Sequence, residues 1–193
     1  MTNRRVEILD SRTVLDDFFR VDEARLRYER FDGTMSREVR RLSLERGDSV
    51  AALLFNRDTQ RVILVSQFKY PTYAKGPGWL VELVAGGIDR GEEPRQALQR
   101  EVLEETGYRL NDTSYIATFY VTPGGSSERI VLYYAEVSTG SRVAAGGGLL
   151  EQGEDIELVQ WSLAELWEAI DRDQIQDAKT LIAAMWLRSK IAQ

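Results

Sequence analysis

Between Phe18 and Glu136 the apolar residues fall in short runs broken by turn residues, and only residues 93–106 are made almost wholly of good helix formers. Runs too short for helices and bounded by Gly, Asn and Asp are strands. A sheet must therefore carry the core, with one helix interrupting it. Asp32-Gly33 is a hairpin signal between strands at residues 26–28 and 39–44. Residues 50–55 and 62–68, joined across Asn56-Arg57-Asp58, are apolar on both faces and read as central strands covered on both sides. Residues 75–78 break the pattern as a loop, and strands return at residues 115–121 and 129–137.

Past the strand-rich region the period changes to that of helices. Ser162 with Glu165 forms a capping box ahead of an apolar stripe through Leu163, Leu166, Trp167 and Ile170. Residues 178–191 carry a second stripe through Leu181, Ile182 and Met185. Gly146-Gly147-Gly148 reads as a mobile loop feeding a last strand within residues 151–159. In the helical stretch at 93–106, Pro94 sits where a first-turn proline is tolerated and Gly107 where a helix ends. The reading is one α/β or α+β domain, with the residues before Val50 forming an appended sheet.

Composition narrows the chemistry. The 193 residues include no cysteine and no histidine, which removes thiolate nucleophiles, disulfides, Ser-His-Asp triads and imidazole metal sites. A formal charge of −6 without a basic block argues against nucleic acid and favours a hard cation as partner. No apolar stretch approaches the ~18 residues of a membrane span, and Met1 to Asp10 lack the pattern of a secretory signal. A soluble, cytoplasmic chain is expected.

The acids of the helical stretch are clustered. At about 100° per residue, with Glu101 at zero, Glu105 lies near 40° and Glu104 near 300°, so three carboxylates share an arc of about 100°. Leu98, Val102 and Leu103 occupy the adjoining side, so the acids flank a buried edge. Like charges at this spacing repel unless something positive lies between them, and magnesium or manganese suits hard oxygen ligands. Arg100, near 260° on the same wheel, is placed to hold an acid. A solvated acidic face is the ordinary reading of a Glu-Glu pair, but the spacing is not ordinary. Gly86, Glu92, Arg100, Glu101, Val102, Glu104, Glu105 and Gly107 satisfy Gly-x5-Glu-x7-Arg-Glu-apolar-x-Glu-Glu-x-Gly, a coincidence of order one in a million at average residue usage.

This pattern resembles the signature of the Nudix hydrolases. The resemblance implies an α/β fold, a Nudix α/β/α sandwich with a mixed sheet, plus an N-terminal antiparallel β-sheet arm. Residues 1–48 would be the arm, contributing to dimerisation, and residues 49–193 the hydrolase domain. By position Glu101, Glu105 and Glu154 match metal ligands, with the Ala85 carbonyl joining them, Glu104 matches an additional ligand, and Arg100 the residue that orients the acids.

Pro123, within Thr122-Pro123-Gly124-Gly125-Ser126-Ser127-Glu128, looks like the nucleoside-diphosphate-sugar branch, which includes ADP-ribose and GDP-mannose pyrophosphatases. That branch implies Mg2+-dependent (or Mn2+-dependent) hydrolysis of a nucleoside diphosphate sugar by a homodimer with exchanged N-terminal arms. Substrate contacts would come from Phe18, Arg40, Arg41, Lys69, Glu82, Gly86, Gly87, Glu128 and Lys179. Lys69 stands where an arginine is more usual, and Lys179 resembles the GDP-mannose members. The usual base position is Gln152, which leaves Glu151 or Glu154 for that role. Phe18, Phe19 and Tyr28 either pack in a core or stack on a base. A non-catalytic nucleotide-sugar sensor and a nucleoside triphosphate pyrophosphatase are the alternatives.

Overall fold

The structure, a computed structural model, describes residues 4–191, except for the side chain of Gln152. It divides into two compact units, one running to Gly47 and including Tyr120–Arg129, the other formed by Asp48–Phe119 and the chain from Ile130 onward.

The first unit is a three-stranded antiparallel sheet of β1 (Val6–Asp16), β2 (Arg20–Tyr28) and β3 (Val39–Glu45), in that order. The Asp32-Gly33 turn lies in the connection between β2 and β3, with the Asp32 carboxylate accepting from the Thr34 amide at 2.9 Å. β1 has no run of apolar residues to announce it. It is paired along its length with β2, through two register irregularities, and most of its side chains are exposed. The Pro123 segment is tied to β3, the Leu44 amide donating to the Gly125 carbonyl at 2.9 Å and the Ser127 amide to the Leu44 carbonyl at 3.2 Å. Core packing does not account for the aromatics here: Phe18 and Tyr28 are exposed, and Phe19, half-buried, meets Phe18 edge-on.

The second unit holds seven strands: β4 (Ser49–Asn56), β5 (Arg61–Phe68), β6 (Trp79–Glu82), β7 (Val84–Gly87), β8 (Ser114–Tyr120), β9 (Arg129–Val137) and β10 (Ile156–Ser162). The order is β10-β5-β4-β9-β8, with β6 added to β5 and β7 to β4. β4 and β9 run parallel while β5 and β7 lie antiparallel to β4, so the sheet is mixed.

Alternation along β4 and β5 builds both faces of the core. Val50, Ala52, Leu54, Ile63 and Val65 pack with Ala97, Leu98 and Val102 of α2 (Pro94–Thr106). Ala51, Leu53, Val62 and Leu64 pack with Leu166 of α3 (Leu163–Asp171) and with Ala183, Ala184 and Leu187 of α4 (Ala178–Ile191). The result is the three-layer α/β/α sandwich with a mixed sheet that the resemblance implied. A single turn of helix, α1 (Tyr70–Tyr73), lies in the β5–β6 connection and carried no signal in the sequence. Among the described residues no helix is long and apolar enough to cross a membrane.

Two expectations need correction. The buried face of α4 is Thr180, Ala183, Ala184 and Leu187, whereas Ile182 and Met185 are exposed and Leu181 is only half-buried. Small residues let the helix approach the sheet closely, and size misled the reading of its stripe. The glycine loop is also more than a mobile connector: the Gly147 amide donates to the Glu105 carbonyl at 2.9 Å and the Gly148 amide to the Glu104 carbonyl at 3.2 Å. These bonds satisfy carbonyls that the end of a helix leaves open.

Candidate active site

The antiparallel pairing of β7 with β4, Val50 opposite Gly86 and Ala51 opposite Ala85, brings Ala85-Gly86-Gly87 alongside α2. The helix begins with Pro94 in its first turn, the Glu93 amide donating to Gln96 Oε1 at 3.3 Å. It ends at Gly107, where φ is 75° and a Cβ would fall 2.0 Å from the Ala144 carbonyl oxygen. Only glycine meets both demands. Helix α2 therefore has fixed ends, and its acids project from fixed positions.

Glu105 is only 5 % exposed. Its Oε2 accepts from the Ala85 amide at 3.3 Å, yet burial, with the neighbouring Glu101 carboxylate adding to it, pushes its pKa up to about 8. Glu101 lies flat against Gly86, where a Cβ would come within 1.9 Å of its carboxyl carbon. Burial raises Glu101 too; Arg100 opposes the rise, while Glu104 and Glu154 reinforce it.

Arg100 gathers the surrounding oxygens. Its Nη1 meets Glu101 Oε1 at 2.6 Å and Glu104 Oε2 at 3.7 Å. Its other nitrogens donate to Glu92 Oε1 at 3.2 Å, Glu92 Oε2 at 3.0 Å and the Gly87 carbonyl at 3.0 Å. That planar fork holds Glu92 below the ordinary carboxylate range, and the Asp89 amide on Glu92 Oε2 assists. Glu154, on the loop that caps α2, accepts from the Leu149 amide at 2.9 Å. Glu151 is exposed, in a turn of 3-10 helix at Leu150–Gln152.

Beside these acids lies a chain of alternating charge. Glu82, at the end of β6, takes Lys69 Nζ on Oε1 at 3.3 Å and Lys179 Nζ on Oε2. Lys179 also bonds Asp177 Oδ1 at 2.9 Å. Burial pulls the Lys179 pKa down, but Glu82 and Asp177 outweigh it and the ammonium is held above its ordinary range. Lys69 and Glu82 are both near enough to act on the Glu105 proton, in opposite senses.

The second unit thus collects Lys69, Glu82, Ala85, Gly86, Gly87, Arg100, Glu101, Glu104, Glu105, Glu154 and Lys179. Phe18, Arg40, Arg41 and Glu128 belong to the first unit. There Arg40 is ion-paired with Glu23, which lowers the Glu23 pKa; Arg41 lines a cleft with Pro123 and Ser127; and Arg46 lies 3.6 Å from Glu128.

Two residues escaped the sequence reading. Asp177 caps α4, accepting from the Thr180 amide at 2.9 Å, and Thr180 Oγ1 accepts from the Leu83 amide at 2.9 Å. An Asp three residues before a Thr at a helix start was the available signal.

The NUDIX domain family model matches residues 45–184. The chain belongs to the Nudix family. It is 34 % identical over 185 residues to the GDP-mannose pyrophosphatase of Cronobacter sakazakii, covering 95 % of each chain. It is 35 % identical over 185 residues to the ADP-ribose pyrophosphatase of Escherichia coli K12, covering 95 % of this chain and 88 % of that one. A solved structure described as an ADP compounds hydrolase superposes with a TM-score of 0.75, covering 100 % of this chain and 97 % of that one at 21 % identity, a likeness of fold. This is a Nudix pyrophosphohydrolase related to the ADP-ribose and GDP-mannose pyrophosphatases.

The Nudix family generally uses a divalent metal, and the residues of this site fit one. Among the described residues no Lys or Arg forms an ion pair with the buried Glu105 carboxylate, and the neighbouring Glu101 carboxylate and Ala85 backbone offer hard oxygens. Among the described residues, no three acids already form a metal cluster: Glu101 is drawn to Arg100, Glu105 to the Ala85 amide and Glu154 to the Leu149 amide.

Proposed function

We propose that this Nudix enzyme hydrolyses the pyrophosphate bond of a nucleoside diphosphate sugar, ADP-ribose or GDP-mannose, to a nucleoside monophosphate and a sugar phosphate. The observation that carries the reading is Glu105, a buried carboxylate whose charge the site supports only when a cation faces it. Relatives of both specificities, similar along 95 % of the chain, supply the substrate class.

Glu101, Glu105, Glu154 and the Ala85 carbonyl would hold Mg2+ or Mn2+, with Glu104 as an additional ligand. The bound cation supplies neutralisation of phosphate oxygens and a water of lowered pKa. Arg100 keeps Glu101 and Glu104 from swinging away and locks the loop between β7 and α2 through Glu92 and Gly87. Gly86 lets Glu101 lie against the strand, and with Gly87 it leaves backbone open to a diphosphate. Lys69 meets the diphosphate as a point charge, without the bidentate fork an arginine would bring. Glu151, exposed in its turn of 3-10 helix, or Glu154 accepts the proton of the attacking water. Phe18, Arg40, Arg41 and Glu128 are further substrate contacts on this reading. The exposed apolar side chains Val6, Ile8, Val14 and Leu15 of β1 support a homodimer with exchanged arms.

The test offers ADP-ribose, GDP-mannose and a nucleoside triphosphate with magnesium or manganese and resolves products by mass. A monophosphate and a sugar phosphate from one of the first two is expected. Hydrolysis of the triphosphate alone, or of none, refutes the proposal.

A further inference from the structure

We infer that Lys179 is a positioning residue, acting on substrate through Glu82 and Lys69 rather than by touching it. The inference rests on the reading above that Lys69 meets the diphosphate.

Lys179 has little freedom to serve as a direct contact. Its side chain is 9 % exposed, and its ammonium is enclosed between Glu82 Oε2 and Asp177 Oδ1. Turning it toward a ligand would leave two carboxylates, 7 % and 16 % exposed, without their shared cation. Lys69 differs: its side chain is 40 % exposed, and it pairs with the other oxygen of Glu82, at 3.3 Å.

Glu82 is thus a two-sided clamp, with a buried cation fixing one oxygen so that the other can fix an accessible cation. Carboxylate geometry transmits the constraint, because Oε1 cannot move without Oε2. The far end of the chain is anchored as well. Asp177 accepts from the Thr180 amide at 2.9 Å, and Thr180 Oγ1 accepts from the Leu83 amide at 2.9 Å, so the start of α4 is bonded to the residue that follows Glu82. Leu83 leads directly into β7 and the Ala85-Gly86 backbone. A point-charge lysine lacks the fork that would orient an arginine, and the clamp supplies that orientation from behind.

A double-mutant cycle on the full chain tests this, with ADP-ribose or GDP-mannose, whichever the wild type hydrolyses, at saturating magnesium. Lys69→Met and Lys179→Met should each raise KM about tenfold with a smaller effect on kcat, and the double variant should be no worse than the worse single. Glu82→Gln should reproduce Lys179→Met, and Lys179→Arg, which keeps the cation, should recover most of the KM. If Lys179→Met fails to fold, Glu82→Gln and Lys179→Arg complete the cycle with Lys69→Met. Multiplying KM effects would show an independent substrate contact and overturn the inference, as would an unchanged KM in Lys179→Met. If the wild type hydrolyses neither nucleotide sugar, the reading above fails by itself. The same cycle is then read from the Kd of inorganic pyrophosphate with magnesium, where additivity again overturns the positioning role.

Discussion

Replacing Glu105 with glutamine should make the metal-free protein more stable while removing its activity. In the folded protein the Glu105 carboxyl titrates at about 8, against 4.5 for an ordinary glutamate. Below pH 4.5 both folded and unfolded chains carry the proton, and the residue costs nothing. As pH rises from 4.5 to 8 the unfolded chain releases its proton while the folded one keeps it, so stability falls by ~1.4 kcal/mol per pH unit; above 8 the loss levels off. At pH 7 the penalty is about 3 kcal/mol. Glutamine has nearly the same shape, carries no charge at any of these pH values, and still offers the Ala85 amide an acceptor.

The assay is urea unfolding of wild type and variant with a chelator present, at pH 5 and pH 7. The variant should be more stable by about 3 kcal/mol at pH 7, with most of the gap gone at pH 5. Adding magnesium should raise the wild type through binding linkage and leave the variant nearly unmoved. Turnover by the variant should fall about a hundredfold. A variant no more stable than wild type at pH 7, or a gap that persists unchanged to pH 5, would refute the claim that Glu105 is an uncompensated buried acid.

Other perturbations probe the neighbouring geometry. Gly86→Ala puts a methyl group onto the Glu101 carboxylate, the free end of a flexible side chain that can swing aside; thermal melts should show a stability change under ~1 kcal/mol while kinetics show turnover falling about tenfold or more, and unchanged turnover would contradict the placement of Glu101. Arg100→Lys cannot reach Glu92, Glu101 and the Gly87 carbonyl at once, so kcat should drop about tenfold or more at saturating magnesium, with circular dichroism unchanged. In α4, Leu187→Ala should cost ~2–5 kcal/mol and Met185→Ala less than ~0.5; comparable losses in chemical denaturation would contradict the buried face assigned to that helix.

Local chemistry made much of this protein legible from sequence. The strands β4 and β5 were readable because burial on both faces demands unbroken apolar runs, and α2 because Pro94 and Gly107 mark its ends. The acid box was readable because Arg100, Glu101, Glu104 and Glu105 lie within a turn and a half of one helix, where residue spacing alone sets direction. β1 carried no such signal, since its strand character comes from pairing with β2 rather than from its own residues.

Only the tertiary structure decided how far each acid loses its water. A helical wheel sets Glu105 nearest Leu98 and Val102 and Glu104 farthest from them, but it is the packing of β7 against α2 that closes over Glu105 and leaves Glu104 in partial contact with solvent. The same holds for Glu82 at the end of β6, whose ion pairs reach Lys69, just past β5, and Lys179 of α4, the latter 97 residues away in sequence. Charge neutralisation acts through distance in space, and no spacing along a chain encodes that until the sheet has brought the groups together.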